Sequence, residues 1–161
     1  MNDIWVFDLD DTLADTRHRA HLKPVNSTGH GEEWVPYSMA CAGDGVHRAP
    51  GTLFKMARNW AEPWIVTGRT ERARNLTEIW LDLMGLYQED MLMRGDGYHR
   101  PNVELKLEAL DYLEGMGRNV TLWVDDYTKV IEAISARGIP TFHFRAADGS
   151  GMSDDPARRE Q

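Results

Sequence analysis

The sequence contains a single cysteine, Cys41, in 161 residues. One cysteine excludes an internal disulfide, which suits a protein of the reducing cytoplasm. No apolar run approaches the roughly 18 residues of a membrane-spanning helix, so we expect no membrane span. The first residues, 1–3, lack the basic stretch and the small-residue cleavage site of an export signal. Cytoplasmic localisation is therefore the expectation.

Positive charge is also scarce: 18 Lys and Arg stand against 26 Asp and Glu, for a net charge of −8. This balance disfavours a broad basic surface that wraps long nucleic acid, but it is compatible with a small basic pocket. No Gly-Lys dipeptide occurs, which excludes a kinase phosphate-binding loop from this sequence. Apolar residues make up 42% and charged residues 27%, as in a globular domain with one sizeable core.

Strand-like and helical patterns alternate along the chain. Short β-branched or aromatic runs predict strands at 4–7, 64–66, 91–93, 120–124 and 141–144. Apolar residues at helical spacing predict helices at 53–57, 73–83, 103–113 and 130–134. This alternation indicates an α/β fold, with a central, mostly parallel sheet covered by helices on both faces.

One stretch interrupts this alternation. Residues 16–49 are rich in Gly, His, Pro and polar side chains, and we interpret them as a small insert after the first strand, a long loop with one short helix. Residues 148–161 have no apolar periodicity, and we expect a flexible tail. The sequence thus predicts a single domain over residues 1–147. Long loops at the carboxyl ends of parallel strands are where ligands usually bind.

The strongest local motif lies where the first strand ends and reads Asp8-Leu9-Asp10-Asp11-Thr12. Carboxylates two residues apart on extended backbone point the same way and lie roughly 6 to 7 Å apart. Asp8 could attack a reacting group while Asp10 transfers a proton to or from the leaving oxygen. A phosphate placed against carboxylates needs a hard divalent cation, and Mg²⁺ is the natural choice. The alternative interpretation is that these acids only end a strand and solvate a turn.

Further polar residues follow the other predicted strands. Thr67-Gly68-Arg69 follows the second strand, Asp125-Asp126 follows a later one, and Lys106 lies early in the intervening helix. The carboxyl ends of parallel strands open on one sheet edge, so we expect these groups to converge.

This ordered series resembles the four motifs of the haloacid dehalogenase superfamily, through most of residues 4–145. The resemblance implies a Rossmann-like three-layer sandwich and a phosphatase. It implies that Asp8 is the nucleophile, which forms an aspartyl-phosphate, and that Asp10 is the general acid and base. It further implies that Thr67 binds the transferring phosphoryl group and that Lys106 neutralises it together with Asp8.

The same resemblance implies a magnesium site. Asp8, the backbone carbonyl of Asp10 and Asp125 are the implied ligands, and Asp126 supports them. Thr12, which closes the first motif, is a candidate substrate-binding residue.

A narrower resemblance is to the phosphatase domain of polynucleotide kinase-phosphatases, which removes 3′-phosphates from nucleic-acid ends. It is carried by the Thr-Gly-Arg turn, Trp80-Leu81, the segment from Met93-Arg94 to Arg100-Pro101, Lys106, and Asp125-Asp126-Tyr127. The sequence departs from that family at Tyr127, where a basic residue is common, and at Asp11, where many members carry glycine.

Arginines near the first two motifs are candidate phosphate ligands, because a guanidinium group can bind two oxygens at once. Arg19 and Arg69 match positions near substrate phosphate in these relatives. Arg17 and His18 form either part of the same site or a solvated patch. Trp34 and Tyr37 in the insert either stack on a base or pack the loop.

We therefore expect a Mg²⁺-dependent phosphomonoester hydrolase that acts on 3′-phosphorylated nucleic-acid ends. A 5′-nucleotidase acting on mononucleotides is the alternative, and a non-catalytic phosphate-binding module is a third interpretation. A separate kinase or ligase is the expected partner, while the sequence leaves the oligomeric state open.

Overall fold

The computed structural model describes residues 3–25 and 31–147. In chain order the strands are β1 (Asp3–Phe7), β2 (Ala14–Asp15), β3 (Gly45–Val46), β4 (Glu62–Thr70), β5 (Asp90–Arg94), β6 (Asn119–Asp125) and β7 (Thr141–His143). Five of them form one parallel sheet in the order β5-β4-β1-β6-β7. These five correspond to the five strands predicted from the sequence, so the predicted parallel sheet is confirmed.

Helices cover both faces of this sheet. They are α1 (Val35–Met39), α2 (Arg48–Ala57), α3 (Arg74–Leu83), α4 (Asn102–Gly115) and α5 (Thr128–Ala136). On one face, α4 and α5 pack Leu110 and Ile134 against the sheet, and on the other face α2 and α3 pack Phe54 and Trp80. Each such buried side chain stabilises the fold by about 1.5 to 3 kcal/mol. The result is the predicted α/β Rossmann-like sandwich of three layers.

The chain between β1 and α2 is not a plain loop. It contains α1 and three short 3-10 turns, Arg17–Leu22, Glu32–Trp34 and Cys41–Gly43. At its base β2 and β3 form a two-residue antiparallel ladder, which the sequence analysis did not predict. We call the described parts of this segment, residues 14–25 and 31–46, the flap, and β2 and β3 pair its two ends. The predicted tail, 148–161, lies outside the described residues.

Every helix within residues 3–25 and 31–147 is too short or too polar to cross a membrane.

Asp11 has a left-handed backbone conformation, with φ of 65°. It lies in the tight turn after β1, where glycine is favoured because glycine adopts positive φ without strain. The Asp11 carboxylate compensates by accepting hydrogen bonds from the hydroxyl of Thr16 and from Lys23 Nζ, the latter at 2.9 Å. These contacts explain how aspartate is accommodated at a position that favours glycine.

We expect Asp11→Ala to lower the free energy of unfolding by about 2 kcal/mol, because the left-handed strain stays and two hydrogen bonds are lost. Asp11→Gly should recover about 1 kcal/mol of that loss. Urea unfolding of the two variants measures the difference. Equal stability of the alanine and glycine variants would contradict this account of the turn.

Candidate active site

Asp8 lies immediately after β1, where its backbone N–H donates to the carbonyl of Val124 at 2.8 Å. Its buried carboxylate is 2.6 Å from the Nζ atom of Lys106, through Oδ1. Lys106 Nζ also lies 3.2 Å from Asp125 Oδ2 and donates to the carbonyl of Val66. One buried lysine from α4 therefore contacts the ends of β1, β4 and β6.

Negative charge exceeds positive charge in this cluster. Burial raises the pKa of Asp8 to about 7, against the lowering effect of Lys106 and with a further contribution from Asp125. Burial lowers the pKa of Lys106, but the charges of Asp125 and Asp8 outweigh it and raise that pKa overall. One lysine does not fully compensate the buried carboxylates, and an additional cation would stabilise their ionised forms.

The carboxylates of Asp8, Asp125 and Asp126 form a group that can hold a metal ion. One oxygen of each lies within 4.8 Å of the others, and all three residues are buried. The donors are all oxygen, which suits Mg²⁺. Asp126, predicted only to support the site, is therefore one of the three grouped acids. The Asp10 side chain points elsewhere, and the role implied for its backbone carbonyl stays a prediction.

Thr12 links two of these acids. Its hydroxyl lies 3.2 Å from Asp8 Oδ2 and 3.1 Å from Asp126 Oδ1, and it has one proton to donate between them. The structure thus places Thr12 beside the nucleophile candidate, as part of the acidic group. Its predicted contact with substrate stays a prediction.

Asp10 contacts two arginines. Its Oδ1 accepts hydrogen bonds from Arg19 Nη2 at 2.7 Å and from Arg69 Nη2. Burial opposes ionisation of Asp10, but Arg69 and Arg19 together hold its pKa well below the usual range. In this arrangement Asp10 is an ionised acceptor. It can donate a proton to a leaving group only after the guanidinium groups release it.

A second acid, Asp44, shares the same two arginines. Arg19 donates to both Asp44 oxygens, from Nε and Nη2 at 2.6 Å each, and Arg69 Nη2 lies 3.0 Å from Asp44 Oδ2. The Asp44 side chain is fully buried, and its Oδ1 also lies 2.8 Å from His18 Nε2. Sequence reasoning missed Asp44, because it lies in the insert outside any motif or regular pattern.

Thr67 lies in the second half of β4, where the pairing with β5 shifts register between Val66 and Thr70. It is buried, and its Oγ1 accepts a hydrogen bond from the backbone N–H of Arg69 at 3.1 Å. This hydrogen bond orients the Arg69 backbone, while the side chain of Arg69 extends to Asp10 and Asp44. The residues of the Thr-Gly-Arg motif are therefore linked to one another by a local hydrogen bond.

Arg94, at the end of β5, is a buried cation to which the sequence analysis assigned no role. Its hydrogen bonds within the described residues go to neutral oxygens, on the backbone of Gly68, Tyr98 and Arg100 and on the side chain of Asn102. Burial lowers the pKa of its guanidinium group. Its spacing of 12 residues before Lys106 was visible in the sequence, but only the strand order places it at this edge of the sheet.

The remaining candidates of the insert are Tyr37, Trp34 and Arg17. Tyr37 is buried under Arg19, whose guanidinium carbon lies 4.1 Å from the ring centroid, and Trp34 meets Tyr37 edge to face. Arg17 pairs with Asp15 near the surface. Because Arg19 covers the ring of Tyr37, this ring packs the flap, in line with the second of the two interpretations of Trp34 and Tyr37.

No protein-family model and no curated protein matches this chain. Solved structures do. A chain of the Pnkp1/Rnl/Hen1 RNA repair complex superposes with a TM-score of 0.74 and 22% identity, over 92% of this chain and 44% of that chain. The class C acid phosphatase from Bacillus anthracis with tungstate bound superposes with a TM-score of 0.63 and 14% identity, over 99% and 76%.

A third structure, Mycobacterium tuberculosis protein tyrosine kinase A, superposes with a TM-score of 0.55 and 18% identity, over 94% of this chain and 89% of that chain. At identities this low, the superpositions establish a shared fold and nothing beyond it. This α/β sandwich thus shares its fold with these proteins, and the chain spans less than half the length of the RNA repair chains that it matches.

Proposed function

We propose that this chain is a Mg²⁺-dependent phosphomonoester hydrolase that acts through a phosphorylated Asp8. The observation that carries this proposal is the environment of Asp8. Its buried carboxylate is held by Lys106 at 2.6 Å and grouped with Asp125 and Asp126, at the edge of the sheet where parallel strands end. A purely structural turn would not require four charged side chains buried together, because burying charge is costly.

In the proposed reaction, an Asp8 oxygen attacks phosphorus and the bond from phosphorus to the leaving oxygen breaks. Asp10, released from the arginines and protonated from solvent, gives the leaving oxygen its proton. It then takes a proton from the water that attacks the aspartyl-phosphate, and the bond between Asp8 and phosphorus breaks to release phosphate. Lys106 compensates negative charge on Asp8 and on the phosphoryl group, and Thr67 binds a phosphoryl oxygen. Mg²⁺ held by Asp8, the Asp10 carbonyl and Asp125, with Asp126 beside it, would supply further positive charge.

For the substrate, we propose a 3′-phosphate at a nucleic-acid end. Two points support this choice: the resemblance to polynucleotide kinase-phosphatases and the structural likeness to a chain of an RNA repair complex. The contact of Arg19 and Arg69 with substrate phosphate stays a prediction, since both arginines are paired with Asp10 and Asp44. A partner kinase or ligase would carry out the other steps of end repair.

The net charge of −8 favours a second candidate, a nucleotidase that acts on 5′-mononucleotides. A negative surface repels a long polyanion, while a mononucleotide carries few charges. The two candidates differ in salt dependence, because only an extended polyanion releases many counterions on binding.

Phosphate release should be measured from a 3′-phosphorylated oligonucleotide, a 5′-phosphorylated oligonucleotide and a set of 3′- and 5′-mononucleotides, with Mg²⁺ and with a chelator. We expect Mg²⁺-dependent release, fastest from the 3′-phosphorylated oligonucleotide and slower at higher salt. Faster, salt-insensitive release from 5′-mononucleotides would favour the nucleotidase. No release from any phosphomonoester would contradict both candidates.

A further inference from the structure

Two acids and two arginines form an ion cluster at the base of the flap. Asp10 and Asp44 each bind Arg19 and Arg69, and the Nη2 atom of each arginine contacts both carboxylates. With two positive and two negative groups, the cluster is electrically balanced. The arginine side chains are almost fully inaccessible, and so is that of Asp44, whereas 19% of the Asp10 side chain is exposed.

This asymmetry separates the roles of the two acids. Asp10 has an exposed part that can reach a substrate, whereas Asp44 is buried and contacts Arg19, Arg69 and His18, so it can act on the substrate only through its neighbours. Arg19 is bound to Asp44 by two hydrogen bonds but to Asp10 by one, so it stays anchored if Asp10 is released. Arg69 is likewise anchored by Thr77 at 2.9 Å, and its buried Nε has no hydrogen-bond partner among the described residues.

We propose that Asp44 is a positioning residue for the reaction: it shares Arg19 and Arg69 with Asp10, so that Asp10 can leave them and serve the leaving group. This inference rests on the proposed function. Without the Asp44 charge, Asp10 would be the single carboxylate bound to two buried guanidinium groups, and it would stay with them. The cluster would also gain one net positive charge next to the phosphate site.

The test compares wild type with Asp44→Asn, which keeps the size of the side chain and removes its charge. A simple alkyl phosphate needs its leaving oxygen protonated, whereas p-nitrophenyl phosphate releases a stable anion and does not. We expect kcat/KM to fall about tenfold or more for the alkyl phosphate and less than about threefold for p-nitrophenyl phosphate, since general acid catalysis contributes about 100- to 10,000-fold. Inorganic phosphate should bind about threefold more tightly, because of the added positive charge.

A matched control is Asp15→Asn. Asp15 lies in β2 opposite Gly45, and its carboxylate pairs with Arg17 near the surface. Its kcat/KM should match that of wild type for both substrates. Equal losses on the two substrates in Asp44→Asn, with weaker phosphate binding, would show a merely structural role and overturn the inference. Unchanged kinetics would also overturn it.

Hydrolysis by the wild-type protein tests the proposed function independently of the role of Asp44. If wild type releases phosphate neither from these two compounds nor from the oligonucleotides and mononucleotides, the proposed function is wrong, and binding of inorganic phosphate, measured by calorimetry, still tests Asp44. Tighter binding in Asp44→Asn then supports charge sharing at this cluster, whereas equal or weaker binding overturns it.

Discussion

Asp8→Asn is expected to abolish turnover while leaving the protein folded. An amide oxygen is a poor nucleophile, so the aspartyl-phosphate cannot form, and losses of about 10⁴-fold or more are typical when a catalytic nucleophile is removed. Asparagine has nearly the same shape: its side-chain oxygen can accept the hydrogen bond from Lys106, and its NH2 group can donate to the Thr12 hydroxyl in place of the bond that Thr12 now donates. The fold should therefore survive this substitution.

The measurement is the rate of phosphate release with Mg²⁺, together with the thermal unfolding midpoint. Asp3→Asn is a matched control at the opposite end of the same strand, where the carboxylate accepts a hydrogen bond from the side chain of Asn119. It should retain full activity. Turnover of more than a tenth of the wild-type rate in Asp8→Asn would rule out covalent catalysis by this residue.

Lys106→Met should affect both stability and activity. The lysine is buried between Asp8 and Asp125, at 2.6 and 3.2 Å, and its removal leaves these carboxylates without their nearest cation. Removing one partner of a buried ion pair typically lowers the free energy of unfolding by about 3 to 5 kcal/mol. Because the phosphoryl group also loses its neutralising partner, turnover should fall by at least about 100-fold.

Urea unfolding and phosphate release measure these two effects. Mg²⁺ should raise the unfolding midpoint of Lys106→Met more than that of wild type, since the uncompensated carboxylates attract the cation more strongly. Lys55→Met, on the exposed surface of α2, is the control and should match wild type in both measurements. A Lys106→Met protein as stable and as active as wild type would contradict the site described here.

The parallel sheet could be predicted because its strands are short apolar runs that alternate with helical patterns. The convergence of Asp8, Lys106 and Asp125 was predictable because parallel strands end at the same sheet edge. Their motifs were visible because each follows a strand or begins a helix.

Residues outside that logic were not predicted. Asp44 lies in an irregular segment, and its contacts with Arg19 and Arg69 span 25 residues in each direction. The β2–β3 ladder is too short to leave a pattern in the sequence. The pairing of Asp10 with both arginines was also missed, because Arg19 and Arg69 were assigned to substrate phosphate rather than to a protein carboxylate. Long-range ion pairs of this kind depend on packing, which local sequence does not encode.

The central claim, that Asp8 carries the phosphoryl group, is tested most directly by trapping. Wild-type protein is mixed with a phosphomonoester whose phosphate is radiolabelled, quenched rapidly in acid, and mapped by peptide mass spectrometry. The account predicts label on the peptide that contains Asp8, and none in Asp8→Asn. Phosphate release at the full rate, with no label on any peptide at any quench time and with Asp8→Asn equally active, would contradict it.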